Sequence, residues 1–251
     1  MSLRRQCVVL AGGLGTRMRP STETIPKSML TAAGKPFVHY QLDWLALEGV
    51  TDVVYSIGYR GGAIRDYVGD GSRWGIRAVF VDEGERLRGT AGALRLAFDE
   101  GVLDPTFAVL YGDSYLRVSL PAIWQRFEES GHPALLTVLR NAGLWDRSNV
   151  IYRDGQVLLY DKQAADPLPS AMQFIDYGIS ILSRDLVEQI PPAVRSDLAP
   201  LLNRLSLEGR LAGFEASERF YEIGSPQGLE DFEQYILSTR PATPALHPKS
   251  A

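Results

Sequence analysis

A glycine cluster at the end of an apolar run constrains the fold of this chain more than any other stretch. The run Val8–Ala11 is apolar and contains two β-branched valines, and it stops at Gly12, Gly13 and Gly15. Such a run is typical of a buried strand, and glycines at its end let successive backbone N–H groups point toward one site. A site of this kind suits a phosphate. The sequence therefore predicts a strand followed by an anion-binding loop.

Three cations follow this loop closely. Arg17, Arg19 and Lys27 lie within eleven residues of sequence, where they supply the positive charge that a polyanion needs. The alternative is a glycine-rich turn with surface arginines, and the clustering of the cations favours the phosphate site. Two familiar phosphate motifs are excluded, because Met18 stands where a dinucleotide fingerprint needs its third glycine and the P-loop spacing is absent.

Strand and helix patterns alternate after the loop. Apolar residues recur at helical spacing over 37–49, runs typical of strands cover 52–57 and 77–81, and small residues open a further helix at Gly89. This alternation predicts an α/β fold, a Rossmann-like three-layer α/β/α arrangement with a mixed, mainly parallel central sheet. Small residues at the start of a helix allow a planar or anionic ligand to approach, with tight helix packing as the alternative.

An acidic residue follows the next predicted strand, 107–111. Asp113 comes directly after Gly112, at the carboxyl end where open α/β sheets bind ligands. A carboxylate there can hold a divalent cation together with substrate phosphates, and helix capping is the alternative role. The residues alone leave both roles open.

The ordered motifs resemble one family. Leu10–Pro20, followed by Pro26–Lys27 and Gly34–Pro36, resembles the signature of the sugar-1-phosphate nucleotidyltransferases, and so do the Gly-Thr-Ala-Gly segment at 89–92 and Gly112–Asp113. The resemblance covers about residues 6–237 and implies the nucleotide-diphospho-sugar transferase fold. It implies one catalytic domain over 1–237, with a nucleotide-binding half at about 1–146 and a sugar-binding half at about 147–237. A flexible tail is expected over 238–251.

The resemblance also implies roles for individual residues. The expected catalytic residues are Arg17, Lys27, Asp113 and Lys162, and Mg²⁺ is expected between Asp113 and Glu222. The nucleotide is expected to contact Leu10, Gly12, Gly13, Gly15, Thr16, Glu83, Gly89, Thr90 and Gly112, with Glu83 or Glu85 near the base. The sugar phosphate is expected to contact Asn149, Asp161, Lys162, Asp176 and Gly178. Asp161 stands where glutamate is usual, and Glu222 stands where aspartate is usual.

The implied reaction transfers a nucleoside monophosphate from a nucleoside triphosphate to a sugar 1-phosphate and releases pyrophosphate. The favoured pair is GTP and D-glycero-α-D-manno-heptose 1-phosphate, giving GDP-heptose for capsule or surface glycans. Guanylyl transfer to mannose 1-phosphate, and uridylyl or thymidylyl transfer to glucose or N-acetylmuramate 1-phosphate, remain open. A non-catalytic regulatory subunit that binds nucleotide sugars belongs to a different class and is expected to lose Arg17, Lys27 or Asp113, all of which are present.

Composition limits the partners. The net charge of −4 argues against a nucleic-acid-binding surface. No apolar run approaches the ~20 residues of a membrane span, and the first residues lack the core of a signal peptide. We therefore expect a cytoplasmic protein with small-molecule substrates, no nucleic acid and no membrane partner, and a homodimer is one of the assembly states left open.

Overall fold

The computed structural model describes residues 5–84 and 86–239. Its helices are α1 Phe37–Leu47, α2 Gly62–Val68, α3 Gly89–Asp99, α4 Leu120–Ser130, α5 Arg184–Glu188, α6 Leu198–Leu207 and α7 Pro226–Thr239. Its strands are β1 Gln6–Leu10, β2 Thr31–Ala32, β3 Lys35–Pro36, β4 Asp52–Ile57, β5 Arg77–Asp82, β6 Thr106–Tyr111, β7 Ser114–Tyr115, β8 Ala134–Arg140, β9 Val150–Arg153, β10 Gln156–Tyr160, β11 Phe174–Ser183, β12 Leu211–Ala216 and β13 Tyr221–Glu222. No helix within the described ranges is long and apolar enough to cross a bilayer.

The central sheet joins both halves of the chain. Among the described residues it has nine strands in the order β5-β4-β1-β6-β11-β8-β12-β10-β9. Strands β10 and β11 run opposite to the other seven. The expected mixed, mainly parallel sheet is therefore confirmed. Two short ribbons, β2 with β3 and β7 with β13, lie outside it.

Helices cover both faces of the sheet because its strands are apolar on both sides. Along β1, Cys7 and Val9 pack with α1, α2 and α4, whereas Val8 packs with α3, α5 and α6 on the opposite face. This alternation follows from the two-residue period of a strand. Each such fully buried aliphatic side chain stabilises the fold by roughly 1.5–3 kcal/mol. The three-layer arrangement predicted from the sequence is confirmed.

Helix α7 extends beyond the boundary predicted for the tail. Phe232 of α7 is fully buried, with its ring centroid 4.9 Å from that of Phe37. The helix continues through Thr239, so the prediction that the flexible tail begins at Ser238 is wrong for its first two residues. Residues 240–251 of the predicted tail lie outside the described residues.

Parallel pairing brings two functional loops to one edge of the sheet. Leu10 of β1 lies opposite Tyr111 of β6, so the loops that follow these strands leave the sheet side by side. The Gly112 amide donates to the Leu10 carbonyl oxygen at 3.0 Å, which fixes the two loops together. The candidate site therefore lies at the carboxyl edge of the parallel strands, as in other open α/β sheets.

Candidate active site

The glycine loop after β1 needs its glycines for two different reasons. A Cβ atom on Gly12 would overlap the Glu83 carboxylate, and Gly15 has φ +62, a left-handed conformation that side chains rarely adopt. The Thr22 hydroxyl donates to the Gly15 carbonyl oxygen at 2.7 Å and fixes this turn. A Cβ atom on Gly13 would meet no described atom within 4 Å. The loop is therefore tightly packed at Gly12 and Gly15 and has open space at Gly13, which leaves room for a ligand.

Lys27 and Asp113 form an ion pair at the floor of the site. Lys27 Nζ lies 2.6 Å from Asp113 Oδ2, and the two side chains are 17% and 21% exposed. The Ser28 hydroxyl donates to the Gly112 carbonyl oxygen at 2.7 Å and holds the two segments together. A lysine from the N-terminal loop and a carboxylate from the loop after β6 are thus in direct contact.

Glu222 lies beside Asp113, although the two are far apart in sequence. Glu222 pairs with Ser114 between β13 and β7, and the Ile223 amide donates to the Asp113 carbonyl oxygen at 3.0 Å. Burial and, secondarily, the negative charge of Asp113 raise the pKa of Glu222, while Arg17 opposes this shift. Arg17 Nη2 lies 3.6 Å from Glu222 Oε1. The structure thus brings the two predicted metal ligands together.

A cavity of about 310 Å³ opens between the glycine loop and the start of α3. Seven of the nine residues predicted to contact the nucleotide line it, namely Leu10, Gly12, Gly13, Glu83, Gly89, Thr90 and Gly112. Gly15 and Thr16 are not part of this wall, because the chain has already turned away toward Arg17. We label this space the nucleotide cavity after the predicted contacts that line it.

Glu83 stabilises the wall of the nucleotide cavity through hydrogen bonds. Its carboxylate accepts hydrogen bonds from the Arg88 amide at 2.8 Å and the Ser56 hydroxyl at 3.3 Å. Glu83 is only 8% exposed, and burial raises its pKa. The carboxylate thus holds the loop before α3 in place as well as lining the cavity. Glu85, the alternative base contact, lies outside the described residues.

The start of α3 is a packing site. The Ser196 carbonyl oxygen accepts the Ala91 and Gly92 amides at 3.0 and 3.1 Å, and the Thr90 hydroxyl accepts the Leu198 amide at 2.7 Å. A Cβ atom on Gly89 would lie 2.5 Å from the Ser196 carbonyl oxygen. The Ala91 and Gly92 amides therefore already have partners, so tight packing, the alternative role, explains these two small residues, while Gly89 and Thr90 line the nucleotide cavity.

A second, more polar cavity of about 380 Å³ adjoins the first, and we label it the sugar cavity after the predicted contacts that line it. Four of the five predicted sugar-phosphate residues line it, namely Asn149, Lys162, Asp176 and Gly178, together with Arg17, Asp113 and Glu222. Asp161 is not part of the wall, and its carboxylate accepts the Gln163 amide at 2.8 Å. Asp161 and Lys162 follow the end of β10 in a turn, and of the two only Lys162 reaches the cavity wall.

Hydrogen bonds fix Asp176 at the centre of the sugar cavity. Its carboxylate accepts the Tyr160 hydroxyl at 3.0 Å and the Gly178 amide at 3.0 Å, and its own amide donates to Asn149 Oδ1 at 3.0 Å. Lys162 Nζ lies 3.2 Å from Asp176 Oδ2. Asp176 is therefore a fixed counter-charge that holds the half-exposed Lys162 ammonium at the cavity wall.

Several cavity residues are not marked by any motif in the sequence. Arg195 and Asp197, on the loop before α6, line the nucleotide cavity, and Asp146, Arg147 and Ser148 line the sugar cavity. The sequence indicates Tyr111 only as the end of a strand, yet it lines both cavities. An isolated arginine in a loop carries no sequence signal of its own, and only the docking of Ser196 on α3 brings Arg195 to the site.

Comparison with known proteins identifies the family. Residues 6–143 match the family model described as nucleotidyl transferase. The chain belongs to this family. A mannose-1-phosphate guanyltransferase of Neurospora crassa is 26% identical to this nucleotidyl transferase chain over 227 residues, which cover 88% of this chain and 61% of the Neurospora protein. The chain thus spans about three fifths of that relative.

Solved structures share the fold of this nucleotidyl transferase. HddC from Yersinia pseudotuberculosis, complexed with GMP-PN, has a TM-score of 0.75 and 24% identity, with coverage of 92% of this chain and 99% of HddC. The inositol-1-phosphate CTP transferase from T. maritima has a TM-score of 0.76 and 20% identity, with coverage of 93% and 95%. The nucleotidyltransferase fold is therefore established for this chain.

Proposed function

We propose that this chain transfers a nucleoside monophosphate from a nucleoside triphosphate to a sugar 1-phosphate and releases pyrophosphate. The observation that carries the proposal is the junction of the two cavities. Tyr111 and Asp113 line both of them, and a lysine lies on each side, Lys27 in the nucleotide cavity and Lys162 in the sugar cavity. This arrangement suits two phosphorylated substrates that must meet at their phosphates.

The reaction requires little covalent chemistry from the protein. An oxygen of the sugar phosphate attacks the α-phosphorus in line, and pyrophosphate leaves, so positioning and charge neutralisation lower the barrier. We assign Lys27 to the α-phosphate, Lys162 to the sugar phosphate and Arg17, with the glycine loop, to the departing pyrophosphate. Arg195 adds a cation to the wall of the nucleotide cavity.

Asp113 and Glu222 fit a magnesium ion. Carboxylates are preferred ligands of Mg²⁺, and burial together with the negative charge of Asp113 raises the pKa of Glu222, as expected for two neighbouring carboxylates. The described residues contain no group of three or more acidic, histidine or cysteine side chains placed for a metal, so substrate phosphates would complete the coordination. When bound, Mg²⁺ would supply neutralisation of the phosphate oxygens.

We propose GTP as the nucleotide and D-glycero-α-D-manno-heptose 1-phosphate as the first sugar to test. The name of the Neurospora relative and the GMP-PN bound to HddC support guanylyl transfer. The same relative's name makes mannose 1-phosphate the second candidate.

The test crosses GTP, UTP, dTTP, CTP and ATP with heptose, mannose, glucose and N-acetylmuramate 1-phosphates and measures pyrophosphate release with Mg²⁺. One strong pair supports the proposal and fixes both specificities. No release with any pair contradicts it. Retained binding of nucleotide sugars without turnover would instead indicate a regulatory protein of this fold.

A further inference from the structure

Tyr111 lies where the two cavities meet. It is the last residue of β6, and it forms part of the wall of both the nucleotide cavity and the sugar cavity. Among the described residues only Asp113 shares this position. The Tyr111 carbonyl oxygen accepts Gln41 Nε2 at 3.0 Å, which fixes the backbone that carries the ring.

The ring of Tyr111 faces the ammonium group of Lys162. Lys162 Nζ is 5.5 Å from the centroid of the Tyr111 ring and 5.7 Å from that of the Tyr160 ring. Both distances fall within the ~6 Å over which an aromatic face attracts a cation. The ammonium group thus contacts two aromatic rings and the Asp176 carboxylate at once.

The two rings differ in their polar partners. The Tyr160 hydroxyl donates to Asp176 Oδ2, so Tyr160 also acts on the counter-ion of Lys162. The Tyr111 ring lies at the boundary with the nucleotide cavity, and its face attracts the ammonium without adding a negative charge. An ammonium held in this way keeps its charge available for an incoming phosphate.

We propose that Tyr111 is a positioning residue for the sugar phosphate. Its ring holds the Lys162 ammonium at the boundary of the two cavities, where the phosphate of the sugar must meet the α-phosphate of the nucleotide. This inference rests on the proposed function and extends it to a residue that neither binds the metal nor belongs to the glycine loop.

The alternative is that Tyr111 only closes the end of β6. A purely structural tyrosine would affect both substrates and the thermal stability together. A positioning tyrosine would affect the sugar phosphate selectively, because Lys162 faces the sugar cavity and Lys27 serves the nucleotide cavity.

The experiment compares Tyr111→Leu, which removes the ring, with the control Phe80→Leu. Phe80 lies on the edge strand β5, and its ring centroid is 5.7 Å from the Arg65 guanidinium, so the control also removes a ring that faces a cation. Substrates are the pair that the wild type uses fastest. We expect Tyr111→Leu to raise the KM for the sugar 1-phosphate by about tenfold, the loss expected for a partly desolvated cation–π contact. The KM for the nucleoside triphosphate should change much less, and Phe80→Leu should change neither KM.

A second measurement remains informative if Tyr111→Leu fails to fold. Phenylalanines with increasing ring fluorination at position 111 keep the ring shape while weakening its attraction for a cation. We expect the KM for the sugar 1-phosphate to rise with each added fluorine. Equal KM values across the series, or a parallel rise for both substrates, would overturn the role of Tyr111. A wild type that releases no pyrophosphate would overturn the proposed function as well.

Discussion

Lys27 Nζ lies 2.6 Å from Asp113 Oδ2, although 86 positions separate the two residues in the chain. The pair connects the loop after β1 to the loop after β6, and both side chains are mostly buried. The net stabilisation from an ion pair at this depth depends on its geometry, because the partial desolvation of the two charges offsets much of their attraction. Its position between the two cavities indicates that both charges serve the substrates.

Removal of the Asp113 carboxylate should therefore abolish most of the activity. We expect Asp113→Asn to lower kcat by at least about a hundredfold, because a metal ligand supplies several kcal/mol of charge stabilisation. The measurement is pyrophosphate release at saturating substrates. Asp99→Asn is the matched control, since Asp99 also pairs with a cation, Arg95, but lies on the outer surface of α3. A fully active Asp113→Asn enzyme would exclude Asp113 as a metal ligand.

Replacement of Lys162 should weaken the use of the sugar phosphate. Lys162→Met keeps the length of the stem and removes a charge-assisted contact, so we expect the KM for the sugar 1-phosphate to rise roughly ten- to a hundredfold. The KM for the nucleoside triphosphate should stay constant. Arg210→Ala, which removes another half-exposed cation in an ion pair, is the control and should change neither value. A selective rise in the nucleotide KM would reverse the assignment of the two cavities.

Gly12 and Gly13 offer a matched pair for the glycine loop. Gly12→Ala places a methyl group against the Glu83 carboxylate, whereas the same methyl group on Gly13 meets no described atom within 4 Å. Overpacking of this kind costs about 1–3 kcal/mol, so the unfolding free energy should fall for Gly12→Ala and stay near the wild-type value for Gly13→Ala. Urea titration measures both. Equal losses would show that the Glu83 carboxylate moves aside freely.

Alanine substitutions at Gly89 and Gly84 distinguish the stability lost to backbone strain from the stability lost to steric crowding. Both adopt positive φ, +74 and +64, but only at Gly89 would an added methyl group lie 2.5 Å from the Ser196 carbonyl oxygen. Each alanine substitution should lose about 1–2 kcal/mol from the left-handed conformation. Gly89→Ala should lose more, because the loop that carries Arg195 must also shift. If chemical denaturation gives the same loss for both, that loop is not tightly docked.

The stability contribution of Glu83 should depend on pH. Burial raises the pKa of Glu83 in the folded protein above its ordinary value of 4.5. The folded state therefore binds a proton more tightly than the unfolded state, and stability falls as the pH rises from 4.5 through the folded pKa. Glu83→Gln lacks this titration, so its unfolding free energy relative to wild type should increase across that window. Parallel pH curves for the two proteins would contradict the raised pKa.

Local sequence patterns are sufficient to predict the strands and helices in the first half of the fold. The predicted strand 52–57 matches β4, all six residues of which are buried and four of which, Val53, Val54, Tyr55 and Ile57, are apolar. The sequence patterns do not predict helix α7, since its buried anchors Phe232 and Ile236 stand among many polar residues. Their burial depends on an aromatic partner, Phe37, that lies almost two hundred positions away in the sequence.

Most site residues that belong to an ordered motif are predictable, with Gly15 and Thr16 of the glycine loop as exceptions. Lys27 and Asp113 each follow such a motif, and the structure places them in contact. Arg195 escapes prediction because its place in the cavity depends on the Ser196 carbonyl oxygen binding α3, a contact between distant segments. The family resemblance assigns Asp161 to the sugar cavity, but in the turn after β10 its carboxylate accepts the Gln163 amide, and only its neighbour Lys162 lines the cavity.

Strand β11 connects the two predicted halves of the chain within one sheet. It comes from the sugar-binding half, yet it lies between β6 and β8 and pairs with both. A fragment cut near residue 143, where the family match ends, would lack β11 and leave β6 as an unpaired apolar edge. Exposed edges of this kind pair with other chains and aggregate. The end of the family match is therefore no place to divide this protein for expression, since the regions on either side of it must fold as one cooperative unit.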